Sequence, residues 1–171
     1  SYYTSLNLSR FEGCNVQVLT TNANMYEKLD VEINKFILLD NELYVKYYDE
    51  ELIGIFSFAL FFNLWRDIYR CDIIHVQAIF NYTTIIALFW SRIFRKKVVL
   101  TPRGCLGDWA MRKRSFLKKL WLLLLVKPFS RVVIWHATSE RERNEIKNLF
   151  KGVNIQIVPN GVNVNEFMYP N

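Results

Sequence analysis

Short apolar runs alternate with longer amphipathic stretches along this chain, and the alternation predicts its secondary structure. The short runs predict strands at Asn15–Thr20, Lys35–Leu39, Leu43–Tyr48, Asp72–Gln77, Lys97–Thr101, Arg131–Ala137 and Ile155–Val158. The longer stretches predict helices at Tyr3–Glu12, Glu50–Tyr69, Tyr82–Phe94, Leu106–Lys127 and Ser139–Phe150. Strands that alternate with helices are typical of βαβ units. The predicted fold is therefore α/β and Rossmann-like, a mostly parallel sheet flanked by helices.

Polar or glycine clusters lie at the ends of three predicted strands. They are His75-Val76-Gln77, Thr101-Pro102-Arg103-Gly104 and His136-Ala137-Thr138-Ser139-Glu140. Because open parallel sheets bind ligands outside the carboxyl ends of their strands, three such clusters on successive strands predict one ligand crevice. The alternative is the ordinary chemistry of strand ends, which need turn and cap residues in any case.

The loop that begins at Thr101 carries the sharpest local pattern. Pro102 fixes its own φ and holds Thr101 extended, so the strand is expected to end there. Gly104 permits a positive φ or the close approach of a ligand to the backbone. Arg103 then places a planar guanidinium, suited to phosphate or carboxylate, at the sheet edge. The alternative is an arginine on a solvated turn.

His75 interrupts an otherwise apolar strand. A histidine in such a place is most often a core residue whose hydrogen bonds are satisfied. If its ring emerges at the carboxyl end of the strand, it can hydrogen-bond a sugar or an acceptor hydroxyl, or act as a base near neutral pH. His136 has the same two interpretations with a weaker pattern. Ser139 and Glu142 fit a capping box, so Ser139 is also expected to cap the helix that follows.

Composition narrows the range of partners. The chain has 171 residues, of which 51% are hydrophobic, and this fits one domain with its own core. Its net charge of +6 favours anionic partners. Those partners are phosphorylated substrates, anionic membrane surfaces or nucleic acid. No helix-turn-helix, RNP or zinc pattern is present, so nucleic-acid binding is not predicted. Cys14, Cys71 and Cys105 show no metal spacing and predict reduced thiols in a cytoplasmic protein.

Basic and apolar residues share the predicted helix Leu106–Lys127. On a helical wheel one arc holds Phe116, Leu117, Leu120, Trp121 and Leu124, and the opposite arc holds Arg112, Arg114, Lys118 and Lys119. Two interpretations stay open. Either the basic residues bind an anionic membrane surface, or they form the solvated face of a helix that packs in the core. The apolar arc is expected to pack against the sheet. No membrane span is predicted, because the longest charge-free apolar run, Leu52–Trp65, is shorter than the roughly 20 residues that a span needs.

Motifs for metal, nucleotide-phosphate or nucleophile chemistry are missing from the sequence. It contains no Cys/His metal cluster, no G-x-S-x-G, no G-x-x-x-x-G-K-S/T and no G-x-G-x-x-G. No close pair of carboxylates stands out either. Nothing in the sequence therefore indicates a self-sufficient catalytic centre.

Four motifs, taken in order and spacing, resemble the amino-terminal domain of family 4 glycosyltransferases. They are Thr101-Pro102-Arg103-Gly104-Cys105-Leu106, Trp109-Ala110 with a Lys/Arg-rich helix, His136-Ala137-Thr138-Ser139-Glu140 and Val158-Pro159-Asn160-Gly161-Val162. The resemblance is strong from Cys71 to Asn163 and weaker before that. It is closest to the bacterial branch that acts in capsule, lipopolysaccharide and exopolysaccharide assembly.

That resemblance implies one half of a GT-B fold, in which the first domain binds the acceptor and the second binds a nucleotide-sugar. It implies sugar transfer to a saccharide or lipid-linked acceptor, with retention of configuration and without a metal or cofactor. It also implies a protein that is cytoplasmic, with the inner face of the membrane as its expected site of peripheral contact. The residues that would line the cleft are His75, Gln77, Thr101, Arg103, Gly104, Ser139, Asn160 and Gly161.

Two departures from the family pattern change these expectations. Arg103 stands where many members have histidine, and a guanidinium cannot act as a base at neutral pH. We therefore expect Arg103 to stabilise charge or position a substrate, and we assign no certain catalytic residue. Residues 1–158 are expected to form the acceptor-side domain and 159–171 the start of an interdomain linker. The second departure is completeness, since the first strand and the donor-binding second domain are expected to lie outside the chain.

On that reading the chain alone is expected to be inactive, and its partner would be the donor-binding domain. The alternative function is a non-catalytic, Rossmann-like module that docks on membranes or on anionic partners.

Overall fold

The computed structural model describes residues 2–24, 27–39, 43–50, 57–112 and 114–161. The chain divides into two compact units. The first consists of Ser1–Cys71 with Ile85–Phe94, and the second of Asp72–Thr84 with Arg95–Asn171. Each sheet belongs to one unit.

The first unit is built on a small mixed sheet. Its helices are α1 (Tyr2–Ser9), α2 (Phe58–Arg70) and most of α3 (Tyr82–Ile93); its strands are β1 (Gln17–Thr21), β2 (Ala23–Asn24), β3 (Glu27–Lys28), β4 (Phe36–Leu39) and β5 (Leu43–Tyr48). The strand order is β1-β5-β4, with β1 parallel and β4 antiparallel to β5, while β2 pairs with β3 separately. Leu6 packs against Leu43 and Val45 in the apolar core of this sheet.

Helix α2 begins at Phe58. Ser57 caps it, since its Oγ accepts a hydrogen bond of 2.9 Å from the backbone N–H of Leu60. The carbonyl of Phe61 accepts a hydrogen bond from the indole of Trp90 on α3 at 3.0 Å. The sequence predicted a helix from Glu50, but residues 51–56 of that prediction lie outside the described residues.

The second unit is a four-stranded parallel sheet with the order β6-β7-β8-β9. Its strands are β6 (Ile73–Gln77), β7 (Lys97–Thr101), β8 (Ile134–Ala137) and β9 (Asn154–Ile157), and its helices include α4 (Asp108–Arg112), α5 (Ser115–Trp121) and α6 (Glu140–Leu149). The predicted α/β fold, a parallel sheet flanked by helices, is confirmed. The strands of the first unit form sheets of their own rather than extending this one.

The two faces of the parallel sheet differ in polarity. Side chains alternate between the faces along each strand. One face is apolar and buried, with Val76, Val98, Leu100, Trp135 and Ala137. The other face carries polar side chains near the carboxyl ends of the strands, namely His75, Gln77, Thr101 and His136. Parallel strands are usually apolar on both faces, so this polar face is a candidate for function.

The single helix predicted at Leu106–Lys127 is wrong. The segment consists of α4, α5, a π-helical turn (Leu122–Val126) and a 3₁₀ turn (Lys127–Phe129). Arg114 has a left-handed φ of 55°, which interrupts the helix between α4 and α5. Pro128 lies in the 3₁₀ turn, where it lacks the N–H that a continuing α-helix would use.

Candidate functional site

The polar face of the parallel sheet brings predicted site residues together at its carboxyl edge. Gln77 is aligned with Thr101 in the pairing of β6 with β7, and His75 lies two residues earlier on the same face. His136, the weaker candidate in the sequence, lies on β8 and contacts Thr101. The structure therefore places side by side four polar residues that the sequence put at the ends of three strands.

Thr101 connects the two histidines. Its hydroxyl oxygen lies 2.8 Å from Nε2 of His75 and 3.0 Å from Nδ1 of His136. The Nε2 of His136 in turn lies 2.9 Å from the carbonyl oxygen of Val158, just after β9. We call His75, Thr101 and His136 the His-Thr-His row. Because Thr101 is only 1% exposed, its hydroxyl depends on the two rings for its hydrogen bonds.

The His75 ring is half-buried, and its surroundings favour the neutral form. Burial lowers the pKa of His75 below its ordinary value of 6.5, and the nearby His136 and Arg103 lower it further. A neutral imidazole has one nitrogen that donates and one that accepts. His75 therefore offers a neutral hydrogen-bonding group rather than a positive charge.

Gln77 contributes a polar atom without a partner. Its Oε1 is buried and, within the described residues, accepts no hydrogen bond. A buried acceptor left in this state costs about 1–3 kcal/mol. An atom of this kind, next to the His-Thr-His row, indicates a place where a hydrogen-bond donor from outside the protein could bind.

The loop after β7 follows the sequence prediction. The strand ends at Thr101, and Arg103 and Gly104 follow with left-handed φ values of 54° and 72°. Glycine adopts this conformation freely, whereas an arginine there costs about 1–2 kcal/mol. Ala78, after β6, is also left-handed with φ 70°. Non-glycine residues in this conformation cluster at functional sites, and here two of them lie at the carboxyl edge.

Glu142 holds this loop against α6. Its Oε1 accepts a hydrogen bond of 2.7 Å from the backbone N–H of Gly104. Its Oε2 accepts two more from Thr138, at 2.7 Å from the N–H and 2.9 Å from the hydroxyl. The side chain is 4% exposed, so these bonds are shielded from water. The carboxylate thereby fixes the position of the Arg103-Gly104 turn relative to the end of β8.

Ser139 caps α6, as predicted. Its Oγ accepts from the N–H of Glu142 at 3.2 Å. The reciprocal bond of a capping box is replaced by the bonds of Glu142 to Thr138 and Gly104. Glu142 was not among the predicted site residues, although the Ser-x-x-Glu spacing was the signal that could have found it.

A comparison with protein families identifies the family to which this chain belongs. Residues 2–166 match the family described as Glycosyltransferase Family 4. The chain belongs to glycosyltransferase family 4. A comparison with curated proteins found no significant match. Family membership identifies a GT-B N-terminal domain over most of the chain and implies sugar transfer as its chemistry.

In this glycosyltransferase domain, Asn160 and Gly161 lie beyond the His-Thr-His row. Both are exposed in the segment after β9. Val158 bonds through its N–H to the carbonyl of Ala137 at 2.9 Å and through its own carbonyl to His136, which keeps the segment beside β8 up to that residue. Neither Asn160 nor Gly161 hydrogen-bonds to the row in the part of the chain described. Their role in the cleft stays a prediction, and the rest of the predicted linker, from residue 162, lies outside the described residues.

The expectation that the apolar arc of α5 packs against the sheet is wrong. Phe116, Leu117 and Leu124 are 76%, 60% and 58% exposed. Within the arc Trp121 turns inward, donating from its indole to the carbonyl of Ile79 at 3.0 Å. The π-helical turn that follows α5 changes the angular position of Leu124 from the one that the wheel assumed, and two other residues of the turn, Leu122 and Val126, are buried instead.

Exposed basic residues lie among these apolar side chains. Arg112, Arg114 and Lys119 are exposed. Lys118 is half-buried, because its Nζ donates to the carbonyl of Ala110 and lies 5.0 Å from the centroid of the Phe80 ring. Lys118 therefore holds α5 to α4. We call the exposed residues the α4–α5 surface: Trp109, Phe116, Leu117, Leu124, Arg112, Arg114 and Lys119.

A cavity of about 510 Å³ lies at the opposite, amino-terminal edge of the same sheet. It is lined by residues that precede β8 and β9, namely Lys127, Ser130, Arg131, Asn148, Leu149, Phe150 and Lys151. Its basic residues would suit an anion. None of the predicted site residues lines it, so the carboxyl edge and this cavity are separate features.

Three further observations describe what the chain could bind. Across residues 2–24, 27–39, 43–50, 57–112 and 114–161, no group of three or more His, Cys, Asp or Glu side chains could hold a metal ion. In the same ranges, every helix is too short or too polar to cross a membrane. Cys14, Cys71 and Cys105 form no disulfide bonds. Burial raises the pKa of Cys105, which makes it a weak nucleophile at neutral pH.

Proposed function

We propose that this chain supplies the acceptor side of a retaining, metal-independent glycosyltransferase that builds bacterial cell-surface polysaccharide. A donor-binding domain would hold the nucleotide-sugar, and the carboxyl edge of β6, β7 and β8 would receive a saccharide or lipid-linked acceptor. The observation that carries the proposal is the His-Thr-His row beside the unpartnered Oε1 of Gln77. Neutral hydrogen-bonding groups of this kind suit a ligand rich in hydroxyls.

Arg103 would supply the positive charge that the reaction needs. Its guanidinium is exposed at the carboxyl edge and is charged at any physiological pH. When the bond to the nucleotide breaks, negative charge develops on the departing phosphate, and a nearby fixed cation stabilises that charge. Arg103 would therefore stabilise the leaving group or position it, and His75 and Gln77 would hold the acceptor.

The matched variants Arg103→Ala and Arg95→Ala test this function. Both arginines are exposed and left-handed, with φ of 54° and 52°, but Arg95 precedes β7 and Arg103 follows it. In a transfer assay of the intact enzyme with nucleotide-sugar donors, Arg103→Ala should lower kcat/KM by about 10²-fold or more, as expected for lost charge stabilisation. Arg95→Ala should leave it unchanged. Equal kinetics for the two variants would contradict the role of the carboxyl edge.

The α4–α5 surface supports a peripheral membrane contact as part of this function. It combines exposed large apolar side chains with cations, and no acidic residue occurs in the sequence between Asp108 and Glu140. Apolar residues of such a surface can enter the lipid boundary while the cations bind anionic headgroups. A lipid-linked acceptor would then be presented to the enzyme at the surface where it is anchored.

Charge reversal tests the membrane contact. Changing Arg112, Arg114 and Lys119 to Glu should weaken binding to vesicles of anionic lipid by about 100-fold, at about 1 kcal/mol for each cation removed. The control reverses Arg92, Lys97 and Lys147, which are also exposed and change the net charge equally. Co-sedimentation should distinguish the two triple variants. If both lose binding equally, the contact is non-specific attraction by net charge.

A second set of variants separates this interpretation from core packing. Phe116→Ser with Leu117→Ser should leave the circular dichroism spectrum unchanged, because both side chains are exposed, and should reduce vesicle binding. Unfolding of that variant would show that the surface is part of a core. Vesicle binding by an intact enzyme that transfers no sugar would favour the alternative function, a non-catalytic docking module.

A further inference from the structure

The carbonyl of Val158 sets the direction of the hydrogen bonds in the His-Thr-His row. A carbonyl oxygen can only accept, so Nε2 of His136, 2.9 Å away, must donate to it. A neutral imidazole has a single N–H, so Nδ1 of His136 then carries no proton. The tautomer of His136 is therefore fixed by a backbone atom outside the pair of histidines.

Through Thr101, the position of the proton on His136 determines the position of the proton on His75. Its hydroxyl must donate its one proton to the bare Nδ1 of His136, 3.0 Å away. The Thr101 oxygen is then left to accept, and Nε2 of His75, at 2.8 Å, has to be the donor. With its N–H committed to Thr101, the neutral His75 ring has a lone pair and no proton at Nδ1.

The row thus ends in an open acceptor. In the part of the chain described, no group donates to Nδ1 of His75, and that atom is not among the buried ones without a partner. Gln77, two residues along the same face, adds a second unfilled acceptor in its Oε1. Two neighbouring acceptors that lack donors fit a ligand with hydroxyl groups, since each hydroxyl can donate one proton.

We infer that His136 and Thr101 are positioning residues, which fix Nδ1 of His75 as the acceptor of a hydrogen bond from a hydroxyl of the acceptor sugar. This inference rests on the proposed function. It assigns the specificity-determining contacts to His75 and Gln77, and it gives His136 a role without direct contact with the substrate. The reverse direction of the row requires a doubly protonated His136, and it would turn His75 into a donor at Nδ1.

Ring-nitrogen NMR of the ligand-free chain tests the direction itself. The chain has two histidines, so labelled histidine gives signals from two rings alone. At neutral pH we expect both rings protonated at Nε2 and bare at Nδ1, each as one tautomer. A proton on Nδ1 of His75 in the wild type would overturn the inference without any variant being made.

Variants of Thr101 and His136 test whether the row imposes that state. Thr101→Val removes both hydrogen bonds at nearly constant shape, and the His75 signals should then average between tautomers. Thr101→Ser keeps the hydroxyl and should restore the wild-type spectrum. His136→Gln retains a donor for Val158 but breaks the contact with Thr101, and it should act as Thr101→Val does. A His75 spectrum that is identical in wild type and in all three variants would show that the row positions nothing.

A ligand titration then separates this inference from the proposed function. Methyl glycosides of glucose, galactose and mannose serve as probes, and binding should shift the Nδ1 signal of His75. Thr101→Val should weaken binding about five- to tenfold, the usual effect of a misplaced hydrogen bond, and Thr101→Ser should restore it. Binding that leaves His75 unshifted overturns the inference alone. The absence of binding by any of the probes contradicts the proposed acceptor site, while the tautomer result stands by itself.

Discussion

Both units of the chain carry a polar network beside a sheet, but the two networks end differently. In the first unit, Asp67 of α2 pairs with Lys46 at 2.7 Å and accepts a hydrogen bond from the hydroxyl of Tyr48. Those three side chains, all largely buried, satisfy one another. In the second unit the His-Thr-His row ends at the open Nδ1 of His75, next to the unpartnered Gln77 Oε1.

A structural network and a binding site differ in whether their polar groups are all satisfied within the protein. A closed network of opposite charges needs nothing from outside, and its groups are costly to separate. An open row of neutral groups is satisfied along most of its length but presents acceptors at one end. The first arrangement stabilises a fold, and the second is ready for a ligand.

Removing Asp67 should have the largest effect on stability. Asp67→Ala leaves Lys46 and the Tyr48 hydroxyl without their partner, and the two charged side chains are only 13% and 7% exposed. Breaking a buried pair in this way should lower the free energy of unfolding by about 3–5 kcal/mol. Urea denaturation followed by circular dichroism measures it. A loss below about 1 kcal/mol would show that this network is not structural.

Removing the hydroxyl of Thr101 should cost much less stability. Thr101→Val deletes the centre of the row, but both rings are half-buried and water can replace part of what is lost. The free energy of unfolding should fall by about 1–2 kcal/mol in the same denaturation experiment. A cost as large as that of Asp67→Ala would mean that the row, like the Asp67 network, mainly holds the fold together.

The two networks should respond to pH in opposite directions. Burial lowers the pKa of His75, so its contribution to stability is present above about pH 6.5, the ordinary value, and is lost as the pH falls below it. Burial, with the hydrogen bond and charge of Asp67, raises the pKa of Tyr48 above 10.0. The contribution of Tyr48 is therefore present below about pH 10 and is lost as the pH rises further.

Melting temperatures across this range check both directions. His75→Gln should remove the fall in stability below pH 6.5 and leave the alkaline side unchanged, and Tyr48→Phe should do the reverse. Asp49 does not interfere, because the hydrogen bonds from Lys28 and Asn22 lower its pKa and its contribution is lost only in more acid solution, below its ordinary value of 3.8. If the melting temperature of His75→Gln still falls below pH 6.5, another group causes that fall.

Much of the fold was predictable because it depends on local pattern. The bounds of β5 and β7 agree with the apolar runs that predicted them, and β7 ends before Pro102. The convergence of His75, Gln77 and Thr101 followed from the rule that parallel strands share a carboxyl edge. The bounds of a strand depend on a short segment of sequence, and the shared edge depends on the general geometry of parallel sheets. Both can therefore be predicted from the sequence.

The contacts that make the site could not be predicted, because they join residues far apart in sequence. Glu142 reaches Gly104 across 38 positions, and Thr101 reaches His136 across 35. Periodicity also shows which face of a helix is apolar but not what covers it. For that reason the apolar arc at Phe116 and Leu117 was assigned to the core although it is exposed.

Backbone chemical-shift mapping with an acceptor saccharide shows directly whether the carboxyl edge of the parallel sheet is the acceptor site. We expect the largest shifts at the amides of His75, Gln77 and Gly104, and no change at Lys127, Arg131 and Lys151 around the opposite cavity. Shifts confined to that cavity, with the carboxyl edge unaffected, would contradict the proposed acceptor site.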